Sequence, residues 1–124
     1  PIVPDALREW LVMFRARFRA ALPPIVITES GCSYNVGPDE NGVVDDQARI
    51  DYLRAHVNAV SEAVQRGVDV RGYYCWSLMD NFEWAEGYTQ RFGLVHVDYE
   101  TLQRTRKKSF HWYADLIQAQ PQHL

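Results

Sequence analysis

The 124-residue sequence predicts an α/β fold. Amphipathic helical stretches alternate with short apolar runs rich in β-branched residues, in the order helix, strand, helix, strand, helix. Such alternation is typical of parallel strands joined by helices. Hydrophobic residues make up 47% of the chain, which is enough for a packed core, and no repeat or change of composition divides it. We therefore interpret residues 1–124 as a segment of a single domain.

The first helix is predicted over residues 4–20, where apolar and arginine side chains occupy opposite faces. Pro4 is acceptable in a first helical turn, and Pro23 ends the helix because it cannot continue the hydrogen-bond pattern. The run Ile25–Thr28 follows, and its shortness and β-branched residues favour a buried strand. The apolar stripe of the helix is formed by Leu7, Trp10, Leu11, Phe14 and Phe18.

A second helix is predicted over residues 46–66, after a loop that is rich in Gly, Asn, Asp and Pro. Asp45 or Asp46 is suited to cap its start, and Gly67 is suited to follow its end in a left-handed conformation. A second apolar run, residues 68–78, predicts the next strand. Two main strands would leave unpaired edges, so the strand count indicates an incomplete sheet.

Loops dominate the prediction for the remainder of the chain. Residues 79–93 are dense in aromatic and acidic side chains, residues 94–99 alternate enough for a short strand, and residues 109–118 have helical spacing. The basic residues between Arg104 and Lys108 are interpreted as a solvated turn. The tail, residues 120–124, is expected to fray.

Composition and motifs argue against several classes of function. The net charge of −3 disfavours nonspecific nucleic-acid binding, and no apolar run approaches the about 20 residues that span a bilayer. No histidine has the spacing to acids or cysteines of a metal site, and Asp39–Gly42 lacks the flanking ligands of a calcium loop. We expect no metal and no cofactor. Two cysteines, too few for a disulfide scaffold, indicate a reducing compartment and a cytoplasmic location.

Glu29 directly follows the first predicted strand. Ligands of parallel α/β folds bind at the carboxyl ends of the strands. A single glutamate at such an end is weak evidence, so a structural or solvated role and a functional role are supported about equally.

An acidic and aromatic loop follows the second predicted strand. It contains Trp76, Asp80, Glu83, Trp84 and Glu86. Aromatic rings usually belong to the core, but a loop at the carboxyl end of a strand is the wrong place for a core. Sugars are bound by aromatic faces that cover their C–H surface and by carboxylates that accept hydrogen bonds from their hydroxyls. The mixture therefore favours a carbohydrate site over a core role.

Several long motifs resemble glycoside hydrolase family 1, the β-glucosidases. The motifs occur in the family's order and spacing, and they cover nearly the whole chain, from residue 4 to about residue 118. At two positions this chain differs from the family pattern, because Ser30 replaces the usual Asn and Arg106 replaces the usual Pro. The matching segments are Ile27–Gly31, Gly67–Tyr73, Trp76–Trp84, Arg91–Tyr99, Arg104–Thr105 and Lys108–Ser109.

The resemblance implies the C-terminal portion, about the last two β/α units, of a (β/α)8 barrel. It implies that Glu29 ends strand seven and is the nucleophile in the hydrolysis of β-glycosides with retention. Trp76, at the end of strand eight, then resembles the platform under the sugar ring. Glu83 and Trp84 resemble the residues that bind sugar hydroxyls, and Phe92 resembles part of the wall near the 6-position.

The family's acid/base glutamate lies in a Thr-Phe-Asn-Glu-Pro-type motif, which this sequence lacks. The resemblance therefore implies that the acid/base belongs to a missing N-terminal part, and that this chain alone is inactive. The implied substrate is a β-glucoside or a related oligosaccharide, and the implied partner is the missing part of the barrel. Two alternatives stay open, namely one subunit of a split enzyme that needs a second chain, and a noncatalytic sugar-binding remnant.

Overall fold

The computed structural model describes residues 2–120. Its helices are α1 (Pro4–Phe18), α2 (Gln47–Gln65) and α3 (Lys108–Gln118), and a 3₁₀ turn at Arg19–Ala21 follows α1. Its strands are β1 (Ile25–Ser30), β2 (Val70–Cys75), β3 (Val95–Val97) and β4 (Arg104–Arg106). The α/β class and the predicted order of the main elements are confirmed. The prediction of a frayed tail falls mainly on residues 121–124, which lie outside the described residues.

Two compact units make up the structure, and the chain crosses from one to the other more than once. The first unit comprises Pro1–Ser30 and Asp51–Cys75. The second unit comprises Gly31–Ile50 and Trp76–Leu124. The first unit therefore contains α1, β1, β2 and most of α2, and the second contains β3, β4 and α3.

The first unit is built on β1 and β2, which pair in parallel as predicted. Apolar side chains of α1 and α2, together with Val68 between α2 and β2, form its core, and partly buried side chains of the strands pack against that core. The buried residues of the core are Leu11, Val60, Ala63 and Val68, and partly buried Ile25, Ile27, Val70 and Tyr73 pack against them. The amphipathic spacing of α1 and α2 thus explains how this core is formed.

Gly67 ends α2 in the conformation that the sequence predicts. Its φ is +87°, in the left-handed region that disfavours residues with a Cβ atom. Arg15 Nε donates a hydrogen bond to its carbonyl at 2.5 Å, which ties the end of α2 to α1. A side chain at position 67 would also meet the Arg15 guanidinium at 3.1 Å.

The sheet of the first unit has only two strands within the described residues, and no closed barrel is present there. Val26 on β1 and Tyr74 on β2 leave 46% and 62% of their surface exposed. β2 is shorter than the predicted strand at residues 68–78, because its pairing with β1 ends at Cys75. For the described part of the chain, the predicted incompleteness of the sheet is confirmed.

The second unit contains an antiparallel pair, β3 and β4, in which His96 lies opposite Thr105. β4 corrects the prediction that the basic residues from Arg104 to Lys108 form a solvated turn. Arg104–Arg106 pairs with β3, and the Lys107 side chain has no exposed surface. A lysine can be buried in this way because its ammonium group forms an ion pair with a buried carboxylate, Asp80.

Candidate active site

Glu29 lies near the carboxyl end of β1, in the first unit, and its side chain is exposed. The next residue, Ser30, pairs with Cys75, the last residue of β2. Because the two strands are parallel, their carboxyl ends lie at the same edge of the sheet. Glu29 is the second-last residue of β1, so the strand runs two residues further than the predicted run Ile25–Thr28, and Glu29 lies at its carboxyl end rather than after it. The chemical role of Glu29 stays a prediction.

Ser30 is held by a hydrogen bond that comes from β2. The Tyr73 hydroxyl donates to Ser30 Oγ at 2.9 Å. The Tyr73 ring packs against the core of the first unit, so the hydroxyl is presented from a fixed ring. Ser30, which the sequence analysis identified as a difference from the resembled pattern, therefore makes a specific contact next to Glu29.

Trp76 and Glu83 are brought together in the second unit. The indole Nε1–H of Trp76 donates to Glu83 Oε1 at 3.2 Å. Glu83 sits in a tight turn, because its backbone N–H and its carbonyl each bond to the Gly87 backbone at 2.7 Å. Gly87 has a φ of +62°, which suits glycine. A carboxylate and an aromatic ring are thus held side by side, as expected for a sugar-binding surface.

The other predicted aromatic residues differ in their surroundings. Trp84 is 96% exposed and Trp76 is 39% exposed, so neither ring is part of the core of the described structure. Phe92 is partly buried, and its carbonyl accepts hydrogen bonds from Arg49 Nη1 at 3.0 Å and from the Ser77 N–H at 3.3 Å. The backbone at Phe92 is therefore held by two hydrogen bonds, while the Trp84 side chain is almost fully exposed.

Gly31 lies directly against the backbone of Trp76. A Cβ atom at position 31 would come within 2.1 Å of the Trp76 carbonyl oxygen, far closer than non-bonded atoms approach. The peptide bond between Trp76 and Ser77 is cis. Glycine is required at position 31 by this close approach of two backbone segments.

A buried carboxylate, Asp80, joins the segments around these residues. Its side chain has no exposed surface, and it forms ion pairs with Lys107 Nζ at 2.9 Å and with Arg91 Nη1 at 2.7 Å. It also accepts hydrogen bonds from the Gly93 N–H at 3.0 Å and the Val97 N–H at 3.3 Å. Four donors thus converge on its two oxygens, which is about the number that a carboxylate can accept.

Asp80 is held in its ionised form by these donors. Burial disfavours that form, but the hydrogen bonds from Lys107 and Arg91 outweigh it and hold the pKa of Asp80 below its ordinary value. Burial lowers the pKa of Lys107, and the nearby Arg49 charge acts in the same direction, against the hydrogen bond to Asp80. Two cations therefore share one carboxylate, and Asp80 carries the negative charge that both require.

Arg49, in the first turn of α2, fixes the loops of the second unit. Its side chain is 1% exposed and forms an ion pair with Asp46 at 2.8 Å. Asp46 in turn accepts hydrogen bonds from the Ser109 N–H at 2.9 Å and from Ser109 Oγ at 2.6 Å, at the start of α3. The Arg49 guanidinium donates to the backbone carbonyls of Cys32, Tyr34, Arg91 and Phe92.

The sequence analysis did not identify Arg49, Asp80 and Lys107 as residues that position the site. A charged residue on an amphipathic helix or in a basic cluster is usually solvated. Only the partners that the fold supplies, such as Asp80 for Lys107, show that these side chains are buried. For Asp80 one signal was available, namely its position between Trp76 and Glu83 in the loop.

The described residues hold no cluster of three or more His, Cys, Asp or Glu side chains that could bind a metal ion. Within residues 2–120, no helix is both long enough and apolar enough to cross a membrane. The functional groups of the described site are carboxylates and exposed indole rings.

Comparison with known proteins assigns this chain to a family. The model described as Glycosyl hydrolase family 1 matches residues 1–122. A bifunctional beta-D-glucosidase/beta-D-fucosidase of Bifidobacterium breve is 51% identical over 120 residues, covering 94% of this chain and 26% of that protein. A 6-phospho-beta-galactosidase of Staphylococcus haemolyticus is 48% identical over 96 residues, covering 77% of this chain and 20% of that protein.

Solved structures show the same relationship. The beta-glucosidase from Thermotoga maritima in complex with glucoimidazole has a TM-score of 0.89 and is 44% identical, covering 94% of this chain and 26% of that chain. This chain therefore spans about a quarter of the length of the relatives that it matches.

Proposed function

Because the chain belongs to glycosyl hydrolase family 1, we propose that it provides the nucleophile and part of the sugar-binding surface of a retaining β-glucosidase. In this proposal the chain is the C-terminal portion, about the last two β/α units, of a (β/α)8 barrel. The observation that carries the proposal is the exposed Glu29 carboxylate near the carboxyl end of a parallel strand. Active sites of such barrels are built at that end of the strands.

Glu29 has the role of nucleophile in the proposed reaction. A retaining glycosidase uses two carboxyl groups about 5–5.5 Å apart. One attacks the anomeric carbon as the glycosidic bond breaks, and the other gives a proton to the leaving oxygen. Water then hydrolyses the glycosyl-enzyme, with the second group acting as base. The exposure of Glu29 supports the first role, because its carboxylate is open to a ligand.

In this proposal the second unit provides part of the sugar-binding surface. Glu83 accepts hydrogen bonds from the 4- and 6-hydroxyls, and Trp84 donates its indole N–H to a neighbouring hydroxyl. Trp76 is the platform under the ring, and Phe92 forms part of the wall near the 6-position. The contact between Trp76 and Glu83 supports this assignment, since it places an aromatic face beside a carboxylate.

The acid/base glutamate is proposed to lie in an N-terminal part of the barrel outside the 124 residues. The chain spans about a quarter of its relatives, which leaves room for such a part. The same observation is compatible with a split enzyme, in which a second chain carries the first six β/α units. A noncatalytic sugar-binding remnant is the third candidate. An upstream or separate reading frame that encodes an Asn-Glu-Pro motif would favour the enzymes over the remnant.

The proposed glycone is an unphosphorylated gluco-, galacto- or fuco-type sugar. Glu83 would place a negative charge near the 6-position, where it repels a phosphate dianion. The 6-phospho-beta-galactosidase among the relatives makes the phosphorylated sugar the alternative to test. A cytoplasmic location belongs to the same proposal and is supported by the small number of cysteines, two in the chain, which is too few for a disulfide scaffold.

A mechanism-based 2-fluoro-glucoside tests the proposal directly. In the full-length protein we expect this reagent to inactivate the enzyme and to label Glu29, as found by peptide mapping. The Glu29→Gln variant should neither turn over substrate nor accept the label. A label on any other residue would show that Glu29 is not the nucleophile.

A further inference from the structure

The burial pattern of β1 departs from strict alternation at Glu29. Ile25 and Ile27 pack against the core of the first unit. Because side chains alternate along a strand, position 29 should lie on the same face as Ile27. Instead, Thr28 and Glu29 are both exposed, and Ser30 is the next partly buried residue. The alternation therefore breaks immediately before the strand ends.

The pairing register explains the break. Ile27 lies opposite Tyr73, and Ser30 lies opposite Cys75. Two residues of β1, Thr28 and Glu29, thus occupy the interval that a single residue of β2 occupies. One extra residue in one strand is a β-bulge, which is uncommon in parallel pairs and redirects side chains next to active sites.

A side-chain hydrogen bond spans the bulge. Tyr73 lies opposite the residue before the bulge, and its hydroxyl donates to Ser30 Oγ, after the bulge, at 2.9 Å. The Tyr73 ring packs against the core of the first unit. The contact therefore links the far end of the bulge to a fixed point of the fold.

We propose that the hydrogen bond from Tyr73 to Ser30 holds the bulge that turns the Glu29 carboxylate away from the core face and towards the substrate. Tyr73 and Ser30 are positioning residues in this proposal, since neither has to touch the sugar. The inference rests on the proposed role of Glu29 as nucleophile. Loss of the contact lets the bulge shift and moves the attacking oxygen, and a displacement of about 1 Å can slow a reaction about 100-fold.

The test uses Tyr73→Phe and Ser30→Ala, singly and together, in the full-length protein. Tyr73→Phe keeps the ring in the core and removes only the hydroxyl. We expect each single variant to lower kcat and the rate of labelling of Glu29 by the 2-fluoro-glucoside about 10–100-fold, with KM changed far less. The double variant should be no slower than the slower single variant, because both substitutions remove the same contact.

Two further variants serve as controls. Ser30→Thr keeps a hydroxyl at the same place and should restore most of the rate that Ser30→Ala loses. Tyr74, the next residue of β2, is 62% exposed. Tyr74→Phe removes only its hydroxyl, so Glu29 should be labelled at the wild-type rate in this variant. If Tyr73→Phe fails to fold, the comparison of Ser30→Ala with Ser30→Thr still tests the contact.

The outcomes separate the inference from the proposed function. If the wild-type protein is labelled elsewhere than at Glu29, the proposed function fails. If Glu29 is labelled but Tyr73→Phe is labelled at the wild-type rate, or only loses thermal stability, the positioning role is wrong. Independent, multiplicative effects of the two single variants would also overturn it.

Discussion

At the scale of single residues, the contact between Trp76 and Glu83 uses only one of the two carboxylate oxygens of Glu83. Oε1 accepts the Trp76 indole N–H, and no donor within the described residues reaches Oε2. Under the proposed function, Oε2 is the oxygen that accepts a hydrogen bond from a sugar hydroxyl. In that role the negative charge of Glu83 disfavours a phosphate group at the same position.

We predict that Glu83→Gln, in the full-length protein, lowers kcat/KM for nitrophenyl β-glucoside about 10–100-fold, because a hydrogen bond to a charged group contributes about 1.5–3 kcal/mol. The loss for the 6-phosphoglucoside should be smaller, since the substitution also removes repulsion. Measuring kcat/KM for both substrates checks this. Glu86→Gln, an exposed acid in the same loop, is the matched control. Equal or better use of the phosphorylated substrate by the wild-type protein would contradict the prediction.

The sequence alone indicates those site residues whose neighbours along the chain form a recognisable pattern. Glu29 follows a β-branched run, and Trp76 and Glu83 belong to a loop dense in aromatic and acidic groups. Arg49 has no such context, because its four carbonyl acceptors come from segments far along the chain. A guanidinium group that donates hydrogen bonds to the backbone carbonyls of other loops produces no periodic pattern in the sequence.

At the scale of secondary structure, Asp80 connects elements that are distant in sequence. It binds the Val97 N–H at the end of β3 and the Lys107 side chain at the start of α3. Breaking one partner of a buried ion pair leaves an uncompensated charge, which typically costs about 3–5 kcal/mol. The second unit therefore depends on this carboxylate for the mutual placement of its own segments.

This dependence predicts a loss of stability in acid. Since the native pKa of Asp80 lies below its ordinary value, its contribution is fully present above that value, about 3.9. The contribution is lost as the pH falls from there through the lower native value. We expect protection of the Gly93 and Val97 amides from hydrogen exchange in the full-length protein to fall over this range.

An exposed ion pair provides the comparison for this experiment. Asp45 contacts Lys108, and both side chains are about half exposed. The Asp45→Asn variant should keep the acid-induced loss of protection, because exposed pairs contribute little. If the wild-type protein keeps the protection of these amides at pH values well below the ordinary Asp range, Asp80 is not the group responsible.

The sequence predicts the helices well and the irregular strands poorly, for physical reasons. α1 and α2 have apolar stripes at helical spacing, so each agrees with its predicted range to within a few residues. β4 has no apolar residue and is stabilised by pairing with β3. The bulge at Thr28 and Glu29 depends on how β1 meets β2, and that register is set by tertiary packing.

At the scale of the whole chain, the first unit leaves apolar surface uncovered. β1 and β2 pair with each other and with no other described strand. Large exposed side chains on its helices and strands are Trp10, Met13, Phe18, Val26, Val64 and Tyr74. Open strand edges and exposed apolar faces promote association between chains.

We predict that the isolated 124 residues are poorly folded or self-associated and show no appreciable β-glucosidase turnover. The structural reason is the uncovered surface of the first unit. The chemical reason, under the proposed function, is that the acid/base group lies outside these residues. General acid–base catalysis alone is typically worth about 10²–10⁴-fold. Size-exclusion chromatography over a range of concentrations, together with an assay on nitrophenyl β-glucoside, tests both parts.

The two parts of this prediction can fail separately. A monomer that melts cooperatively would refute the structural part. Turnover that co-purifies with the chain and disappears in Glu29→Gln would refute the chemical part, and would mean that the acid/base lies within these residues.

The interleaving of the two units has a consequence for synthesis on the ribosome. All residues of the first unit have been made once Cys75 is added, whereas Gly31–Ile50 belongs to the unit that is completed by Trp76–Leu124. At about 5–20 residues per second, the second of these segments takes about 2–10 s to make. The segment Gly31–Ile50 is therefore complete before the other residues of its unit have been made. Proteins that bind nascent chains would meet Gly31–Ile50 during that interval, before Arg49 has the carbonyls of Arg91 and Phe92 to bind.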